Sequence, residues 1–146
     1  MSDPTRGFTF KDHTADVWAR AWGANLKEAL EEVAKALFSV ICDPSGIEPA
    51  EERCVEVSAP DVESLVVEFL SEVLYLFDAE LLVFSEVEVR NLVQGADRYE
   101  LKAMLRGEKF SNERHSPGTE VKAITYSYLA VEESQRGTTV EVVFDI

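Results

Sequence analysis

The sequence predicts an α+β fold: a mostly antiparallel sheet carrying two amphipathic helices. Two observations point there. Apolar residues recur at three- and four-residue steps in just two segments, each with one apolar stripe to bury. The other ordered segments alternate apolar and polar residues, as half-buried strands do, and several are joined by short turns that favour antiparallel pairing. On periodicity alone, both helices lie on one face of a sheet.

Taken in order, Phe8 to Lys11 alternates and reads as a first strand, and Val17 to Trp22 as a short second one. The first helix carries Leu26, Ala29, Leu30, Val33, Ala34, Leu37, Phe38 and Ile41. Asn25 suits its N-cap, with Glu28 placed to reach back, and Pro44 and Gly46 end it. Val55 to Ser58 is a third strand. The second helix follows Pro60, is capped by Asp61, and runs from Val62 to Phe77 on the stripe Val62, Leu65, Val66, Phe69, Leu70, Val73, Leu74 and Phe77. Leu82 to Arg90 reads as a strand with Val83, Val87 and Val89 on one face. A turn at Gly95-Ala-Asp97 leads to the strand from Tyr99 to Arg106. Lys109 to Gly118, poor in apolar residues, is a loop. Pro117-Gly118 is a turn signal, so the next strand starts at Glu120 or Val121 and runs to Val131, with Glu120 and Lys122 on one face. After a turn at Arg136-Gly137, Val140 to Ile146 alternates as the last strand.

With 146 residues, 46% of them apolar, and no linker or low-complexity tract, the chain reads as a single domain over residues 1–146. No run of about eighteen apolar residues marks a membrane span. The N-terminus lacks the apolar region of a signal peptide, so a cytoplasmic location is expected. Cys42 and Cys54 are too few for a disulfide framework, and neither sits in a Cys-x-x-Cys. Cys42 ends an apolar helical stripe and reads as a buried thiol. The net charge of −14, from 28 acidic and 14 basic residues, repels a phosphate backbone over most of the surface. Strong direct nucleic-acid binding is therefore not expected, and a role in RNA metabolism would run through a basic protein partner.

Three stretches exceed what a plain fold needs: Asp12-His-Thr-Ala-Asp16, His115 with the block Pro117 to Tyr126, and the end Phe144-Asp145-Ile146. Asp12, Asp16, Asp145 and the Ile146 carboxylate are hard oxygen donors. No group of His or Cys is present to select zinc, and an oxygen set suits Ca²⁺, Mg²⁺ or Mn²⁺. Two negative groups on adjacent residues repel, and a divalent cation would relieve that. In a chain this acidic, solvated surface carboxylates are the competing reading. His13 and His115 could serve as base or ligand, or as hydrogen-bonded loop residues. Asp12 to Asp16 carries turn and capping chemistry as readily as function. Glu120 and Lys122 form either a solvated pair or a contact patch. No Gly-x-Ser-x-Gly and no phosphate-cradling glycine loop is present.

On these three stretches and the spacing of the two helices, nearly the whole chain resembles the archease family. The resemblance implies two interleaved strand-helix-strand-strand units. It implies a divalent metal ion, Ca²⁺ before Mg²⁺ or Mn²⁺, held by Asp16, Asp145 and Ile146, with Asp12 and His13 supporting them from behind. It implies a partner contact through His115, Thr119, Glu120, Lys122 and Tyr126. The expected role is non-enzymatic: activation of an RtcB-type, GTP-dependent RNA ligase in tRNA splicing, by promoting its guanylylation and multiple turnover. The alternatives are a chaperone-like modulator of a tRNA methyltransferase and a stand-alone metal-dependent hydrolase. One departure is visible: Ser127 stands where the family usually has His after the Thr-Tyr pair.

Overall fold

The computed structural model describes residues 5–11 and 16–146. Seven strands and two long helices follow in the order β1 (Gly7–Lys11), β2 (Asp16–Gly23), α1 (Leu26–Ile41), β3 (Glu51–Ala59), α2 (Val62–Glu80), β4 (Leu82–Gln94), β5 (Tyr99–Lys109), β6 (Ala123–Ser134) and β7 (Gly137–Asp145). A 3-10 turn, Pro44–Gly46, follows α1.

The strands divide between two sheets, where the sequence suggested one. Four take the order β1-β2-β7-β6 and three the order β3-β5-β4, with every neighbouring pair antiparallel. The segment β3-α2-β4-β5 is one uninterrupted strand-helix-strand-strand unit. It is inserted into a second, in which β2 and α1 are separated from β6 and β7. Neither helix belongs to one sheet alone. α1 packs on β1, β2 and β7 and also on β4, while α2 packs on β3, β4 and β5 and also on β6. The apolar stripes of both helices and the inner faces of both sheets merge into one core, with Leu30, Leu37, Phe69, Leu70, Leu105 and Phe144 fully buried.

The helix ends follow from local chemistry. Asn25 Oδ1 accepts from the Glu28 N–H at 2.9 Å, and Glu28 Oε1 accepts from the Ala24 N–H at 3.0 Å, one residue before the cap. Asp61 Oδ1 accepts from the Ser64 N–H at 2.7 Å. α2 continues past Phe77 to Glu80 and closes on Leu81, a non-glycine residue in the left-handed region at φ 56°.

Several strand ends lie a few residues from where the sequence put them, and β4 and β6 differ in ways that redirect side chains. In β4 the pairing with β5 shifts register between Phe84 and Glu86. This bulge puts Phe84, Val87 and Val89 on the core side and turns Val83 away, into a small cluster with Cys42 and Ile47. β6 begins at Ala123, not at Glu120 or Val121. The preceding residues serve α1 instead. Gly118 and Thr119 donate their N–H groups to the Ile41 and Val40 carbonyls at 2.9 and 2.8 Å, and the Asp43 N–H donates to Ser116 O at 3.2 Å. The Gly118 and Thr119 bonds satisfy carbonyls that the end of a helix leaves without partners, and the Asp43 bond ties the chain beyond the helix to the same segment. Gly118 is needed for space: a Cβ there would collide with the Val40 carbonyl oxygen.

Candidate functional site

β2 and β7 are the two central strands of the four-stranded sheet. Their register places Ala19 opposite Val142 and Ala21 opposite Val140, all fully buried on the core face. Side chains alternate along a strand, so Asp16, Trp18 and Arg20 lie on the outer face. Asp16 pairs directly with Asp145, Trp18 with Val143 and Arg20 with Glu141. Asp145 is also paired with Ala123 of β6, whose methyl group leaves that flank open. Two carboxylates from opposite ends of the chain thus become cross-strand neighbours, both half-buried, with Ile146 next to one of them.

Like charges directly opposite in an antiparallel pair are destabilising. A shared hard cation would reverse the sign of that interaction. The donor set is therefore chemically suited to a divalent ion bound through oxygen. Among the described residues, no three His, Cys, Asp or Glu side chains converge. The register brings together two carboxylate side chains, Asp16 and Asp145, with Ile146 following the second. Asp12 and His13 lie outside the described residues.

The residues of the second stretch separate into two groups. Thr119, Glu120, Lys122 and Tyr126 are exposed. Glu120 and Lys122 precede β6 rather than lying on it, yet buried Val121 between them turns both outward. The Lys122 N–H donates to Asp145 O at 2.7 Å, which ties this segment to the carboxylate pair.

His115 is not on that surface. Its side chain is fully buried, so it does not face a partner with the others. Its Nδ1 accepts from the Ser111 N–H at 2.8 Å, which assigns the proton to Nε2, and Nε2 donates to Glu108 at 2.8 Å. Glu108 accepts in addition from the Glu48 N–H at 3.0 Å and from Arg114 Nη1 at 2.8 Å. The Glu48 N–H, then His115 and Arg114, hold the Glu108 carboxyl down at about 2, well below its ordinary 4.5. Both ring nitrogens of His115 are engaged, so it serves as a hydrogen-bonded loop residue. This network pins the loop between β5 and β6. Sequence reading did not find it, because the strand was ended at Arg106 and Glu108 fell between that strand and the loop, whereas the strand runs to Lys109.

An aromatic column stands on the outer face beside the carboxylates. Lys11 Nζ lies 4.2 Å from the centroid of the Trp18 ring, and Trp18 stacks on Tyr128 at 4.9 Å with 24° between planes. Neither aromatic residue was singled out from the sequence. Their closeness rests on a break in β6 pairing that no periodicity reveals.

Residues 8–146 match the family model described as the archease protein family. The chain belongs to the archease family. A curated relative, protein archease of Methanosarcina mazei, is 39% identical over 145 residues, spanning 98% of this chain and 99% of its own. The solution structure of a protein of Methanobacterium thermoautotrophicum superposes with a TM-score of 0.81 at 32% identity, covering 96% of this archease and 99% of that chain. The crystal structure of an archease, "possible chaperone", from Thermotoga maritima has a TM-score of 0.58 at 22% identity, covering 100% and 98% of the two chains; it shows likeness of fold. Among the described residues, no helix of this archease is long and apolar enough to cross a membrane.

Proposed function

We propose that this archease is a non-enzymatic activator of an RtcB-type, GTP-dependent RNA ligase in tRNA splicing, which promotes the ligase's guanylylation and so its multiple turnover. The observation that carries the reading is the register pair Asp16–Asp145 on the outer sheet face, beside Ile146. An RNA ligase must present basic surface to its substrate. A chain of net charge −14 is drawn to such a surface, and a carboxylate pair is suited to deliver or reposition a divalent ion there. In this proposal Asp16, Asp145 and Ile146 hold the ion, with Ca²⁺ preferred over Mg²⁺ or Mn²⁺. Exposed Thr119, Glu120, Lys122 and Tyr126 flank the contact. The test is an Asp145→Asn protein, shown by circular dichroism to be folded, in a ligation assay with excess substrate. Loss of stimulation is expected, and full stimulation would refute the role of the pair.

A second reading is favoured by the "possible chaperone" description of the Thermotoga archease. Here the partner is a tRNA methyltransferase whose solubility or site choice the chain modulates. Co-expression separates the two. A soluble, active methyltransferase obtained only with this chain, together with no effect on ligation, would transfer the function to it.

A further inference from the structure

The pairing of β6 with β7 runs in register to Thr125–Val143 and resumes only at Ala130–Glu141. Four residues, Tyr126 to Leu129, therefore stand opposite Val142 alone. β6 is an edge of its sheet, so this extra length projects from an open side. Tyr126 and Tyr128 are 57% and 64% exposed, among the largest apolar exposures of the chain. Tyr128 has φ 54°, a left-handed conformation that side chains of its size rarely adopt. The core does not require its ring, which instead lies over Trp18.

The charges around this surface narrow what can dock on it. Lys11 already sits over the Trp18 ring while bonding Glu141 at 3.0 Å, so the column accepts a cation on an aromatic face backed by a carboxylate. Asp16 and Asp145 lie one row further along the same face, at the Trp18–Val143 end of the column. A phosphate backbone would meet those carboxylates and be repelled. A guanidinium is planar, cationic and able to bond a carboxylate while lying on a ring. We infer that the Tyr126–Leu129 bulge, with Tyr128 stacked on Trp18, is a docking surface for arginine side chains of a basic segment in a protein partner. The inference takes from the proposed function only that the partner is a basic protein.

The probes are a heptapeptide of alternating glycine and arginine, the same peptide with citrulline for arginine, and a twelve-residue oligouridylate. Each is titrated into the isotope-labelled full chain, following the backbone amides of Tyr126 to Leu129 and the Trp18 indole by NMR. The arginine peptide should shift these signals saturably, and the citrulline peptide should bind about tenfold more weakly. Tyr128→Gly, which removes the ring and relieves the left-handed backbone, and Tyr126→Ser should each weaken binding about two- to fivefold, as expected for an exposed cation–π contact. Tyr128→Phe should restore it. Unchanged affinity in both tyrosine variants, equal binding of the citrulline peptide, or shifts at these residues with oligouridylate alone would each overturn the inference. Ligation does not enter the readout. A chain that binds the arginine peptide as described but fails to stimulate the ligase would sink the ligase reading and leave this surface standing.

Discussion

Replacing Gly118 by alanine tests the role of the Pro117-Gly118-Thr119 segment. A Cβ at 118 would overlap the Val40 carbonyl oxygen and lie 3.0 Å from Val40 C and 3.1 Å from Ile41 C, so the obstacle is helix backbone that cannot swing aside. The loop must move instead, and two bonds go with it: Gly118 N–H to Ile41 O and Thr119 N–H to Val40 O. At about 0.5–1.5 kcal/mol net for each hydrogen bond, the loss is about 1–3 kcal/mol. For a chain of this size, about 2 kcal/mol lowers Tm by roughly 6–8 °C. The internal control is Gly46→Ala, whose Cβ would meet only Arg114 O at an ordinary 3.6 Å and should stay within about 0.5 kcal/mol of wild type. Thermal unfolding by circular dichroism and by calorimetry would measure both. The reasoning is refuted if Gly118→Ala melts within a degree of wild type, because the loop would then not be held against the helix end.

Three other outcomes follow. The Glu108 carboxyl is lower in the folded chain, at about 2, than its ordinary 4.5, so its contribution to stability is full above about pH 4.5 and fades as pH falls toward about 2. Urea midpoints of wild type and Glu108→Gln should therefore differ near neutrality and converge in acid, whereas a constant gap would contradict the network. Leu81 is 53% exposed and left-handed, so Leu81→Gly should raise stability by about 0.5–1 kcal/mol, and a fall in Tm would show that its side chain packs in a way its exposure conceals. If the carboxylate pair holds a cation, Ca²⁺ at a hundred times its Kd should stabilise the chain by about 2.7 kcal/mol over chelator, and Asp145→Asn should abolish that gain. A Ca²⁺ effect that survives in the variant would place the ion elsewhere.

Much of the fold was legible because helical periodicity and capping are local. Asn25 and Asp61 announced the helix starts within the sequence itself. The division into two sheets was not legible, since alternation says that a strand is half-buried and not which strand it joins. Val83 shows the cost of one unseen bulge: it was grouped with Val87 and Val89, yet a single register shift turns it to the other side. Pro117-Gly118 was read as a turn leading into a strand at Glu120 or Val121, because glycine after proline is a turn signal. What it does is cap α1, a helix far away in sequence. For His115 the sequence left base, ligand and hydrogen-bonded loop residue open, and the resemblance added a partner contact; the structure makes it the loop residue, bonded to Glu108, which lay in none of the elements read from the sequence. The meeting of Asp16 with Asp145 depends on β2–β7 register, which composition and spacing do not encode. Only the family resemblance had put these two residues together.

The measurement that bears most directly on the function is RNA ligation with an RtcB-type ligase far below the substrate concentration, with and without this chain. Product exceeding one equivalent per ligase only when the chain is present is the predicted result. A ligase that is active in single turnover yet gains no further turnovers from the chain would contradict the account.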